Sequence, residues 1–145
     1  MAGAPTATGF VYFAGVKAIG YTAASFVFKR GYRALAPVKA NILTVGLTRT
    51  GIGLLAGLTY GGLWILSANQ MHAQESEKLF LYYYSFLLPV RLVEWTFLIW
   101  IFFDRGLHDR SRLWKYVAFG TICSYVLDAI GVGAAFVLPG GIWVC

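Results

Sequence analysis

The chain has 145 residues, of which 59% are hydrophobic, 17% aromatic and 12% charged. A soluble domain carries roughly 25% charged residues, so this composition argues against an ordinary water-soluble globule. The formal charge of +6 would suit nucleic acid, but the basic residues fall between apolar runs, where membrane topology accounts for them, and no nucleic-acid partner is expected.

The first apolar run covers residues 9–28. No basic stretch precedes it and Lys17 interrupts it, which argues against a cleaved signal peptide. Ala14, Ala18 and Thr22 give it a small-residue face. A basic connection follows, with Lys29, Arg30, Arg33, Pro37 and Lys39.

The second run, 42–66, carries Gly46, Thr50, Gly53, Gly57 and Gly61 at three- and four-residue steps. Gly53, Gly57 and Gly61 form two overlapping GxxxG patterns, which let a partner backbone approach closely. That pattern serves packing within the chain or dimerisation equally well. Arg49 lies inside this run. The next connection, 68–78, holds His72, Glu75, Glu77 and a single cation, Lys78.

The third run, 79–103, is bulky, and it places Pro89, Arg91 and Glu94 where apolar residues are expected. Pro89 cannot donate to the carbonyl of Ser85, so a helix kink is expected there. The third connection holds Arg105, His108, Arg110 and Arg112. The fourth run, 114–138, has its own small-residue ridge of Gly120, Ser124, Asp128, Gly131 and Ala135.

Each run is long enough to cross ~30 Å of hydrocarbon as a helix. Short polar connections make neighbours antiparallel. The expected fold is therefore an all-α integral membrane protein: an antiparallel four-helix transmembrane bundle, up-down-up-down, forming one domain over 1–145. The basic first and third connections are expected in the cytoplasm, which puts both termini outside, in a plasma or inner membrane. Trp64, Tyr82, Tyr83, Tyr84, Trp114, Tyr116 and Trp143 fall near the expected interfaces, whereas Trp95 and Trp100 lie deeper and are expected to pack against neighbours. The lipid bilayer is the expected partner, with anionic lipid headgroups at the cytoplasmic loops, and with a homo-oligomer or a larger membrane complex as further candidates.

Lys17, Arg49, Arg91, Glu94 and Asp128 all fall within expected spans. At 1.5 Å per residue, counted from the cytoplasmic helix ends, they lie ~17, ~11, ~18, ~14 and ~21 Å deep. Four helices thus bring charges towards one layer. Each would cost about 2.5–3.5 kcal/mol facing lipid, so they are expected to point inward and pair. Arg91 and Glu94, three residues apart, share a helical face. Lys17 and Asp128 lie on the terminal helices, which adjoin in a closed bundle. Arg49 is left over, with a stem long enough to snorkel to headgroups.

The leading functional expectation is a charged midplane cavity binding or translocating a small solute, ion or proton, with those five residues as its candidates. One alternative is an accessory subunit of a larger membrane complex, with the charges as structural salt bridges. Another is a small membrane enzyme acting on a lipid-like substrate, although no catalytic residue is assigned. No cofactor or metal is expected: neither His72 nor His108 lies in a span, Cys123 and Cys145 do not have redox-pair spacing, and no Gly-rich phosphate loop, HExxH or nucleophile elbow occurs.

Overall fold

The computed structural model describes residues 7–33, 40–70 and 76–135, with the side chains of 61, 62, 64–70, 76–81, 83, 84, 132, 134 and 135 left aside. Its four helices are α1 (Ala7–Tyr32), α2 (Ile42–Gln70), α3 (Ser76–Phe102) and α4 (Arg110–Ala135). No strand occurs among the described residues.

The helices extend past the apolar runs at both ends of α1, at the end of α2 and at the starts of α3 and α4, while α2 starts at the expected Ile42 and α3 stops at Phe102. Asn41 caps α2 by accepting the Leu43 N–H at 3.0 Å. Asp109 caps α4 by accepting the Arg112 N–H at 2.9 Å. Such caps satisfy backbone donors that the first helical turn leaves open. They move the start of α4 from the expected residue 114 back to Arg110. The expected end at 138 lies outside the described residues. Helix α3 runs through Pro89, whose ring is exposed.

Three helices are long and apolar enough to cross a membrane, using all of α1, Ile42–Tyr60 of α2 and Ser85–Phe102 of α3. The described part of α4 is not among these spans; it opens on Arg110, Arg112 and Lys115 and carries Asp128. The outward faces are apolar, with Ile19, Leu55, Val93 and Ile122 exposed, while the buried residues include Lys17, Arg49, Arg91, Glu94 and Asp128. Charge inside and hydrocarbon outside, on helices of this length, points to a membrane location.

Helix α1 packs against α2 and α4, and α3 packs against the same two, which closes a ring. Trp95 of α3 fills the centre. It meets Tyr21 and Phe28 of α1 edge-on, with ring centroids 5.7 and 5.1 Å apart. Gly120 of α4 leaves room for the indole, because a Cβ there would overlap the Trp95 ring. The α4 small-residue ridge therefore accommodates a large side chain of α3. Trp100 differs from expectation: it is exposed and stacks on Phe97 at 5.8 Å, since five positions beyond Trp95 the helix has turned it outward.

The close approach of α1 and α2 lies at Gly46, where a Cβ would come within 2.8 Å of the Thr22 Cα and backbone N. At Gly53 the open space instead holds the guanidinium of Arg49, with Nη1 2.9 Å from where a Cβ would stand. The GxxxG expectation is thus corrected at Gly53. Gly57 is buried, and Gly61 lies outside the residues whose surroundings are described.

The connection from α3 to α4 is tied by Asp104. Its carboxylate accepts the Gly106 N–H at 3.1 Å and the His108 N–H at 2.9 Å, with His108 Nδ1 3.0 Å away. Leu107 takes a positive φ of 48° and its N–H donates to the Asp104 carbonyl at 3.2 Å. Partial burial pushes the Asp104 carboxyl up, but the hydrogen bonds from His108 and Gly106 outweigh it and leave the group below the usual aspartate value of 3.8.

Two outcomes are expected. Gly46→Ala must displace the Thr22 backbone and should destabilise by about 1–3 kcal/mol. Gly51→Ala, with nothing within 4 Å, should be neutral or stabilise by up to about 1 kcal/mol; unfolding in detergent micelles checks both. Because the folded-state pKa of Asp104 is depressed, its contribution is present above the unfolded value of 3.8 and is lost as pH falls through the lower folded value. Asp104→Ala should therefore lower Tm at neutral pH, and the difference from wild type should close below that window.

Candidate functional site

The five interior charges come from all four helices: Lys17 from α1, Arg49 from α2, Arg91 and Glu94 from α3, and Asp128 from α4. Their exposures run from 0% at Arg49 to 6% at Glu94. They form one line of alternating sign. Lys17 Nζ is 2.6 Å from Asp128 Oδ1, a short ion pair. Asp128 Oδ2 accepts from Arg91 Nη2 at 3.0 Å. Arg91 Nη1 is 3.5 Å from Glu94 Oε2, and the same oxygen accepts from Arg49 Nη2 at 2.7 Å.

The expected contacts Lys17–Asp128 and Arg91–Glu94 are both present. Of the two expectations for Arg49, the interior one holds, and Arg49 gains a partner that sequence reasoning did not assign. It does not snorkel: it is wholly buried and makes the shortest contact to Glu94. Gly53, one helical turn on, leaves the space its guanidinium fills. The rings of Tyr21 and Trp95 lie 4.7 and 5.0 Å from its Cζ, and desolvated cation–π contacts of this kind favour a guanidinium. Lys17 has a similar neighbour in Phe13, with Nζ 4.4 Å from the ring centroid.

Ser124 ties the site to the core. Its Oγ accepts from Trp95 Nε1 at 3.0 Å and from Arg49 Nη2 at 3.4 Å, and it donates to the Gly120 carbonyl at 3.0 Å. Sequence reasoning placed Ser124 on a packing ridge and missed its polar role. Its position four residues before Asp128, on the same helical face, was the available signal. Tyr21, four residues after Lys17, likewise shares a helical face with a charged residue.

The balance of charge is uneven. Three cations (Lys17, Arg49, Arg91) face two carboxylates (Glu94, Asp128), so the site carries a net 3 − 2 = +1. Nε and Nη1 of Arg49, and Oε1 of Glu94, are buried without a hydrogen-bond partner. Burying a charge is costly unless it is paired and hydrogen-bonded. The excess is therefore assigned to Arg49, whose guanidinium is held by one nitrogen and two aromatic faces.

Elsewhere, Cys123 is a free thiol partly buried against the core, His108 is exposed beside Asp104, and His72 and Cys145 lie outside the described residues. Among the described residues no group of three or more His, Cys, Asp or Glu could hold a metal ion. The chain matches no family model, no curated protein and no solved structure.

Glu94→Gln removes the anion shared by Arg49 and Arg91 and raises the excess charge from +1 to +2. It should cost about 3–5 kcal/mol, as breaking a buried pair does. Adding Arg49→Met returns the excess to +1, and the double variant should recover most of the loss. Unfolding titrations of the four proteins in mixed micelles check this.

Proposed function

We propose that the chain is an integral membrane protein whose interior charges bind or translocate the negatively charged group of a small solute or ion. In this reading the four helices cross the bilayer in alternating directions. Contacts between late α1 and early α4 support that, such as Phe28 with Tyr116, ring centroids 5.1 Å apart. So does the pairing of Arg91 with Asp128 and of Trp95 with Ser124 along α3 and α4. The basic residues Lys29, Arg30, Arg33, Arg105, Arg110, Arg112 and Lys115 would then lie on the cytoplasmic side of a plasma or inner membrane, with both chain ends opposite.

The observation that carries the functional reading is Arg49. A buried ion network gives little net stability against well-packed hydrophobic residues. An odd cation with two unmet nitrogens costs more still. Its geometry supports a role in recognising an anion, with Arg49 the primary donor and Lys17 and Arg91 completing the positive field. The low exposure of all five charges fits a closed state of such a site.

A second reading rests on a different observation: the charge line touches every helix, so it would serve as a pin that sets helix register in a larger membrane assembly. Arg49→Met separates the two. It removes the excess charge and adds apolar volume, but it also leaves Glu94 with Arg91 at 3.5 Å as its remaining partner, so the variant should fold with a smaller loss than the about 3–5 kcal/mol expected of Glu94→Gln. On the anion-binding reading, wild-type protein in micelles gains Tm with at least one of chloride, formate, acetate and phosphate at constant ionic strength, and Arg49→Met does not. A ligand at 100 times its Kd stabilises by about 2.7 kcal/mol, which such a scan resolves. Identical responses from both proteins to all four anions would leave only the register-setting role.

A further inference from the structure

A second polar site lies well away from the interior charges, at the end of the molecule where α1 finishes and α4 begins. A cleft of about 450 Å³ there is lined by Arg30 and Gly31 of α1, Asp109, and Ser111, Arg112, Lys115 and Tyr116 of α4. Three cations face one carboxylate, and that carboxylate is already engaged. Asp109 accepts the Arg112 N–H at 2.9 Å as helix cap and lies 3.4 Å from Arg112 Nε.

The cleft is held in shape. Arg112 Nη1 donates to the Gly31 carbonyl at 2.9 Å, which binds the start of α4 to the end of α1. The Tyr116 phenol lies against Gly31, where any Cβ would overlap it, and the Tyr116 ring meets Tyr32 at 5.2 Å. Arg30 and Lys115, by contrast, are exposed and line the cleft from α1 and α4. Two cations on separate helices, with the hydroxyls of Ser111 and Tyr116 beside them, match the chemistry of a phosphate group.

The surroundings say which phosphate. The candidate span of α1 ends at Tyr32, so the cleft sits at the level where headgroups lie. Towards the middle of the bundle the neighbouring surface is apolar and exposed at Val27 of α1 and at Phe119 and Ile122 of α4. A headgroup in the cleft would have its acyl chains on that surface. Free phosphate would use only the polar half.

We propose that the α1–α4 cleft is a headgroup site for an anionic phospholipid, with Arg30, Arg112 and Lys115 holding the phosphate. The site rests on the reading that these helices span a bilayer.

The test is lipid binding to detergent-solubilised protein, read by native mass spectrometry. Phosphatidylglycerol and phosphatidylcholine are compared, with inorganic phosphate as competitor. Arg112 also ties the helices together, so the variant of choice is Arg30→Gln with Lys115→Gln, both exposed. Its control is Arg105→Gln with Arg110→Gln, which removes the same charge from the same end but outside the cleft. The wild type should prefer phosphatidylglycerol. The cleft variant should lose roughly 25-fold in affinity for it, about fivefold per basic residue. The control should lose under about threefold, because neither Arg105 nor Arg110 lines the cleft. Equal losses in cleft variant and control would overturn the site in favour of a diffuse basic surface. Displacement of the lipid by micromolar inorganic phosphate would overturn the lipid in favour of a free anion. Protein that needs detergent yet shows no lipid preference overturns the site while leaving the bilayer reading intact; protein soluble without detergent overturns both.

Discussion

The structure depends on five charges that have no water to turn to. Lys17, Arg49, Arg91, Glu94 and Asp128 are buried to within 6%, and each must find its counter-charge on another side chain. With one exception these partners come from different helices, which makes the charge line a statement about helix placement. α1 must stand where Lys17 reaches Asp128, and α2 where Arg49 reaches Glu94. A rotation of any helix would take a buried charge from its partner, and breaking a buried pair costs about 3–5 kcal/mol. The apolar contacts are more forgiving, since one leucine serves nearly as well as another.

Packing and electrostatics support each other around Trp95. The indole occupies the space left by Gly120, bonds to Ser124 and lies over the guanidinium of Arg49. Three helices thus share one aromatic ring, and the ring in turn covers the cation with the fewest hydrogen bonds. Tyr21 covers it from α1. The aromatic core shields the odd charge as well as filling space. That arrangement suits a site that keeps water out while holding a positive field.

Much of this was legible in the order of residues. Apolar runs of bilayer length revealed four helices, and the spacing of Arg91 and Glu94 along with the place of Lys17 and Asp128 on terminal helices revealed two of the contacts. Three features were not legible. The start of α4 was misplaced because hydropathy marks hydrocarbon, whereas Asp109 caps the helix and starts it four residues earlier; the start of α2 at Ile42, capped by Asn41, was read correctly. Arg49 had no assigned partner: it stood as the layer's excess cation or, by its depth and long stem, as a side chain that snorkels. Depth says nothing of direction, and the space beside Gly53 together with Glu94 across the helix seam turns the side chain inward. The glycines of α2 were read as one ridge, yet Gly46 admits a backbone while Gly53 admits a guanidinium, and only the neighbours distinguish these uses.

The central claim is that complementary charge, helix to helix, sets this interior. A charge swap tests it most directly. Lys17→Asp and Asp128→Lys are made singly and together, and unfolding is followed in detergent micelles. Each single variant puts two like charges at a contact of 2.6 Å and should lose most of its folded stability. The double variant restores opposite signs across α1 and α4 and should regain part of that stability; the remainder is the lost Arg91–Asp128 contact, where the swap sets a lysine against Arg91, and the cost of placing a lysine and a carboxylate on stems of the wrong length. Losses in the double variant equal to the sum of the singles would contradict the pairing and, with it, the account of how the four helices are placed.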